Sequence, residues 1–171
     1  MRLNRGGDAS GRSGRWLVRA AWGAALAALL SCSRGTPDPV APEAVGALHR
    51  LANPPKADAA WSFVQSVDSW DAAYADPSGQ IGLRIYAFQF PDADAAESTY
   101  EASRREVLNG GGNYTHASAR RVHGQMGLRL SDAKGESFQF QRGAWLIVLE
   151  GPADGAFPDA VAALFQRPAS P

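Results

Sequence analysis

Ile81 to Phe90 (IGLRIYAFQF) narrows the fold more than any other stretch, because its β-branched and aromatic residues fall at both parities of an extended chain. Successive side chains of a strand point to opposite faces, so this strand must be central and covered on both. Ala144 to Glu150 (AWLIVLE) is likewise too apolar to alternate and belongs at the centre of a sheet.

Between these strands the sequence reads as a helix. Pro91 and Asp92 stop the first strand, and Asp94-Ala95-Ala96-Glu97 has the spacing of a capping box, giving a main helix over about 92–108. Ala96, Tyr100, Ser103 and Val107 share one stripe for packing on a sheet, while Glu101 and Arg105 stand i,i+4 on the solvent side. Asn109-Gly110-Gly111-Gly112 ends the helix, where glycine takes the left-handed conformation without strain.

A meander should follow. Tyr114 to Val122 and Gly127 to Ser131 read as strands, and Asp132-Ala133-Lys134-Gly135 as a turn. Ser137 to Gln141 alternates, with Phe138 and Phe140 on one face and Ser137, Gln139 and Gln141 on the other. Arg142-Gly143 makes a tight hairpin, Gly151-Pro152 ends the last strand, and Pro158 to Phe165 forms a short helix with Pro at its first position. Trp61, Phe63, Gln65 and Val67 alternate like a further strand, whereas Asp68 to Ala75 also suits a helix. The expected class is α+β: a mainly antiparallel sheet of about 4–5 strands, the main helix on one face and a short C-terminal helix over about 158–165.

The N-terminal part is built differently. Arg2, Arg5, Arg12, Arg15 and Arg19 face a single acid, Asp8, and an unbroken apolar run follows from Ala20 to Leu30. A basic segment, a short apolar core and small residues make an export signal. The run is about half the roughly 20 residues needed to span a bilayer.

The signal ends in Leu29-Leu30-Ser31-Cys32, which resembles the lipobox of bacterial lipoproteins, although Leu30 stands where that family more often has Ala, Ser, Thr or Val. The resemblance implies that the Cys32 thiol takes a diacylglycerol through a thioether and that cleavage falls between Ser31 and Cys32. The new amine is then open to acylation. One acyl chain anchors marginally, whereas two or three on one residue hold a domain at a membrane. Cys32 is the only cysteine, so the exported domain folds without a disulfide. Ser33 replaces the Asp that marks inner-membrane retention, which favours an outer membrane over the cell membrane; the domain itself would face the periplasm or the cell exterior.

Residues 32–55, with Pro37, Pro39, Pro42, Pro54 and Pro55, read as an extended tether, interrupted at most by a short helix from Glu43 to Leu51. Residues 56–167 suit one domain, with 168–171 as a tail. The chain holds 17 basic and 17 acidic residues, and residues 1–31 carry five of the former and one of the latter, so the remainder is acidic at about −4. That balance leaves no footprint for nucleic acid. Membrane contact should come from lipid, with an envelope protein as the candidate partner.

No constellation in the chain spells out a reaction. His49, His116 and His123 lack metal-ligand spacing, and the last two, seven apart, should fall on opposite strand faces. No serine, Ser137 included, lies in a G-x-S-x-G elbow, and the glycines at 110–112 follow a helix instead of preceding one, so they cradle no phosphate. Asp68, Asp71 and Asp76 with Ser69, Ser78 and Gly79 lack the spacing of a calcium loop and suit turns. Trp61, Trp70 and Tyr74 suit a core better than an exposed platform. No catalytic residue, metal ligand or cofactor is assigned. The expected function is a non-enzymatic binding or assembly module at the cell envelope. The alternatives are an envelope hydrolase or glycan-modifying enzyme using carboxylates such as Glu136 or Glu150, and a structural accessory subunit.

Overall fold

Antiparallel pairing governs the whole sheet. A computed structural model of the chain describes residues 37–55, 63, 65–112, 114–152 and 154–166. These hold β1 (Ala44–Val45), β2 (Leu48–Arg50), β3 (Asp68–Ala75), β4 (Ile81–Gln89), α1 (Ala93–Leu108), β5 (His116–Val122), β6 (Gln125–Asp132), β7 (Gly135–Arg142), β8 (Trp145–Gly151) and α2 (Phe157–Leu164). The class is α+β as expected, but the sheet has eight strands in the order β1-β2-β3-β4-β8-β7-β6-β5, where 4–5 were expected. Ile81–Gln89 and Trp145–Gly151 are its two central strands, paired from Arg84 opposite Glu150 to Gln89 opposite Trp145. α1 carries the chain from the middle of the sheet to its far edge, and the β5-to-β8 meander returns it.

Both faces are covered, by different helices. Leu83, Ile85 and Ala87 of β4 join Phe138, Phe140, Ile147 and Leu149 against Phe157, Ala160, Val161 and Leu164 of α2. Tyr86, Phe88 and Phe90 join Leu146 and Val148 against Ala96 of α1, with Phe63 packed on them. The doubly apolar strands are explained by this three-layer arrangement. The outermost strands, β1 and β5, both touch α2. Eight flat strands span about 34 Å, far more than the roughly 12 Å length of an eight-residue helix, so the sheet curls around α2.

Three local expectations are corrected. Asp92, not Asp94, caps α1: its carboxylate accepts the Ala95 N–H at 2.8 Å, and Asp94 lies in the first turn. Glu101 pairs with Arg104 at i,i+3, while Arg105 donates through Nε to the Glu101 carbonyl instead. The strand read over Trp61 to Val67 is also displaced. Residues 61, 62 and 64 lie outside the described residues, Phe63 and 65–67 are not strand, and the strand is Asp68–Ala75. There Trp70, Ala72 and Tyr74 share the α2 face opposite Ala87, Ile85 and Leu83.

The largest correction concerns residues 37–55, read as tether and short helix. Ala44–Val45 and Leu48–Arg50 form a hairpin instead, closed by a two-residue turn in which Gly46 takes φ +56, and this hairpin extends the sheet beside β3. Long-range bonds hold the segment down. The Val40 N–H donates to the Leu164 carbonyl at 3.1 Å, the Tyr74 hydroxyl to the Pro42 carbonyl at 3.0 Å, and the Trp145 indole N–H to Asp38 at 2.8 Å. Arg50 also pairs with Glu43.

Candidate functional site

The helical spacing Glu97, Tyr100, Glu101, Arg104 places four side chains on one stripe of α1, beside the stripe that packs on the sheet. Across from them the starts of β6 and the ends of β7 supply Met126 and Gln141, with Ala119 of β5 behind. Together they line a groove of about 270 Å³. Arg104 reaches Glu101 at 3.1 Å, a partly exposed pair of small energetic weight. The Gln125 amide donates to the carbonyls of Met126 and Gln141, and the Gln141 amide donates to the Gly143 carbonyl. Burial is the main cause that raises the Tyr100 pKa above the ordinary tyrosine value, so its hydroxyl stays protonated through the neutral range. The lining offers carboxylates, a guanidinium, a phenol, amides and a half-exposed thioether. It contains no histidine, cysteine or serine. Such a lining can donate and accept hydrogen bonds beside the apolar Met126 side chain.

Beneath α1, next along β7 from Gln141, lies Gln139. It is wholly buried; its carbonyl accepts from the Ser103 hydroxyl at 3.3 Å, and its Nε2 has no partner among the described residues. Beyond it, Ser137 stands opposite Glu150 on β8, and Glu150 accepts from the Tyr86 hydroxyl at 3.2 Å. Burial and then the Glu150 charge push that hydroxyl up to about 12. Arg84, opposite Glu150 in register, donates to the Pro55 carbonyl at 2.7 Å. The α1 face therefore carries a polar band from the groove to Glu150.

Glu136, the other acid weighed for catalysis, points the opposite way. It accepts from Arg129 Nε and from the Ser131 hydroxyl, both at 2.8 Å, and the Arg129 bond is the main cause holding its carboxyl below the usual range. Ser137 shares a face with Glu150, so its strand neighbour Glu136 lies on the other side of the sheet. The two carboxylates face opposite sides of the sheet.

The remaining candidates are dispersed. His49 sits on β2, His116 opens β5, and His123 occupies the β5–β6 turn at φ +45, where no strand face is defined for it. Among the described residues no group of three or more His, Cys, Asp or Glu gathers as a metal site. Asp76 accepts from the N–H groups of Ser78 and Gln80 and from the Ser78 hydroxyl, which is turn chemistry, and Asp68 and Asp71 fall on opposite faces of β3. Tyr74 is core and Trp70 packs partly buried against it, while Trp61 lies outside the described residues. The glycines after α1 close it, with Gly110 and Gly111 donating to the Val107 and Glu106 carbonyls. Ser31 and Cys32 lie outside the described residues. No described helix is long and apolar enough to cross a membrane.

Sequence reasoning missed the groove. Its helical half was visible as an i, i+3, i+4, i+7 stripe of charged and aromatic residues, but its sheet half appears only once α1 crosses to the β5 edge. No protein-family model, no curated protein and no solved structure matches the chain.

Proposed function

We propose that this chain is a lipid-anchored bacterial envelope protein whose α+β domain is a non-enzymatic binding or assembly module. The observation that carries the reading is Leu29-Leu30-Ser31-Cys32 directly after a basic segment and a short apolar run. Cys32 bears the lipid, the domain lies outside the cytoplasm, and Ser33 directs it to an outer membrane where the cell has one. The helix-side groove suits recognition, since its lining combines hydrogen-bonding groups with Met126 and Tyr100. Glu136 and Glu150, on opposite faces, weigh against the hydrolase alternative.

Replacing Cys32 by Ala tests the anchor. Cells fed a labelled fatty acid should label the native chain and not Cys32→Ala, and the variant should accumulate at precursor mass. Normal cleavage and labelling of that variant would overturn the reading.

A further inference from the structure

The anchored N-terminal segment also fixes which end of the domain meets the membrane, an inference that rests on lipidation of Cys32. Asp38 is held by the Trp145 indole and Val40 by the Leu164 carbonyl, so the chain joins the domain six residues after Cys32. Six residues reach at most about 22 Å. The tether is therefore far shorter than its run of prolines suggests, and the domain is kept beside the bilayer.

The elements at that point make up one end of the sheet. Trp145 opens β8 opposite Arg142 and Gln89, and the same end holds the β5–β6 turn and the start of β3. Among the described residues, three of the four large hydrophobic side chains left exposed, Val40, Val67 and Met126, are gathered there, while the fourth, Leu108, ends α1 at the opposite end. Arg121 adds positive charge beside the turn, and Arg142 covers the Phe165 ring at 3.9 Å. Asp68, Asp92 and Asp94 are exposed nearby, so charge alone does not select the surface.

We infer that this end, bearing Val40, Val67 and the His123 turn, rests on the bilayer that holds the Cys32 lipid. The opposite end, with the β6–β7 turn and the end of α1, points into the aqueous space. Apolar side chains scattered singly on a soluble surface carry no message, but three at the end where the lipid enters lie within reach of the interface. The groove, flanked by Met126, would then open close to the membrane.

The test uses the full lipoprotein reconstituted in phosphatidylethanolamine–phosphatidylglycerol vesicles doped with headgroup-nitroxide lipid. With Cys32 acylated, one added cysteine is the only thiol for a fluorophore. Val67→Cys and Val40→Cys report on the near end, Lys134→Cys and Leu108→Cys on the far end. Near-end labels should be quenched at least about twofold more strongly, because strands of this length set the far end about 24 Å further away. Equal quenching, or stronger quenching at the far end, in protein that floats with the vesicles overturns the orientation alone. Near-end labels shielded from water but unquenched by the nitroxide assign that end to a protein partner and also overturn it. Protein that fails to float removes the lipid anchor and the orientation together.

Discussion

The two faces of the sheet solve the same packing problem with opposite economies. α2 is half the length of α1, yet Phe157, Ala160, Val161 and Leu164 are all buried in the hollow of the curled sheet. α1 buries only Ala96 and leans on half-buried Tyr100, above a floor that includes Gln139, Ser137 and the Tyr86–Glu150 contact. One face is closed and apolar; the other keeps polar groups under and beside its helix. The difference teaches that packing and polar surface are unevenly shared: the α2 side holds the sheet together, and the α1 side leaves polar groups within reach of solvent.

Truncating the closed face should have the largest effect. Phe138, wholly buried and stacked 6.5 Å from Phe157, should cost about 3–5 kcal/mol on replacement by Ala. The matching change on the other face, Tyr100→Ala, should cost less than half of that in urea unfolding. Equal losses would erase the contrast between the faces.

A smaller effect of opposite sign is expected under α1. Gln139→Leu removes a buried amide whose Nε2 has no partner, and a group of that kind costs about 1–3 kcal/mol. The variant should melt above the native chain, since the half-buried Ser103 hydroxyl keeps access to other acceptors. A lower melting temperature would mean that the amide is satisfied by bound water that this face requires.

The smallest expected change is a slope with pH. Tyr86 has its folded-state value raised to about 12 against 10.0 ordinarily, so the folded chain keeps a proton there that the unfolded chain has released. That contribution is complete below about pH 10 and is lost as the pH rises through about 12. Tyr74, raised to about 12 chiefly by burial, acts in the same direction from the α2 face. Tyr86→Phe should flatten the fall in stability between these values. An unchanged slope would show that neither burial nor the Glu150 charge holds the proton on Tyr86.

Much of the central fold was legible because it is written locally. IGLRIYAFQF and AWLIVLE are apolar at both parities, and that pattern has only one home in a sheet covered on both sides. Phe138 and Phe140 alternate cleanly against Ser137 and Gln139, although the polar side proves buried too, because α1 lies on it. What escaped reading depends on distant partners. The hairpin at 44–50 sits behind prolines that mark it as linker, and the bonds that fix this region join Tyr74 to Pro42 and Trp145 to Asp38, across 32 and 107 residues. β3 begins with Asp68 and Asp71, which hide the inward Trp70, Ala72 and Tyr74, while Trp61 to Val67 alternates more visibly without being the strand. The cap moved by two residues because Asp92 and Asp94 are both competent, and Asp92 is the one with the extended backbone of a cap (φ −156, ψ 176).

Residue 32 decides whether the chain is held at a membrane. Mass spectrometry of the N-terminal peptide of the chain purified from membranes addresses it directly. The prediction is a peptide beginning at Cys32, heavier than its sequence by a diacylglyceryl group and, where the amine is acylated, one further acyl chain. A peptide that retains Ser31, or one that begins at Cys32 with a free thiol, would contradict it.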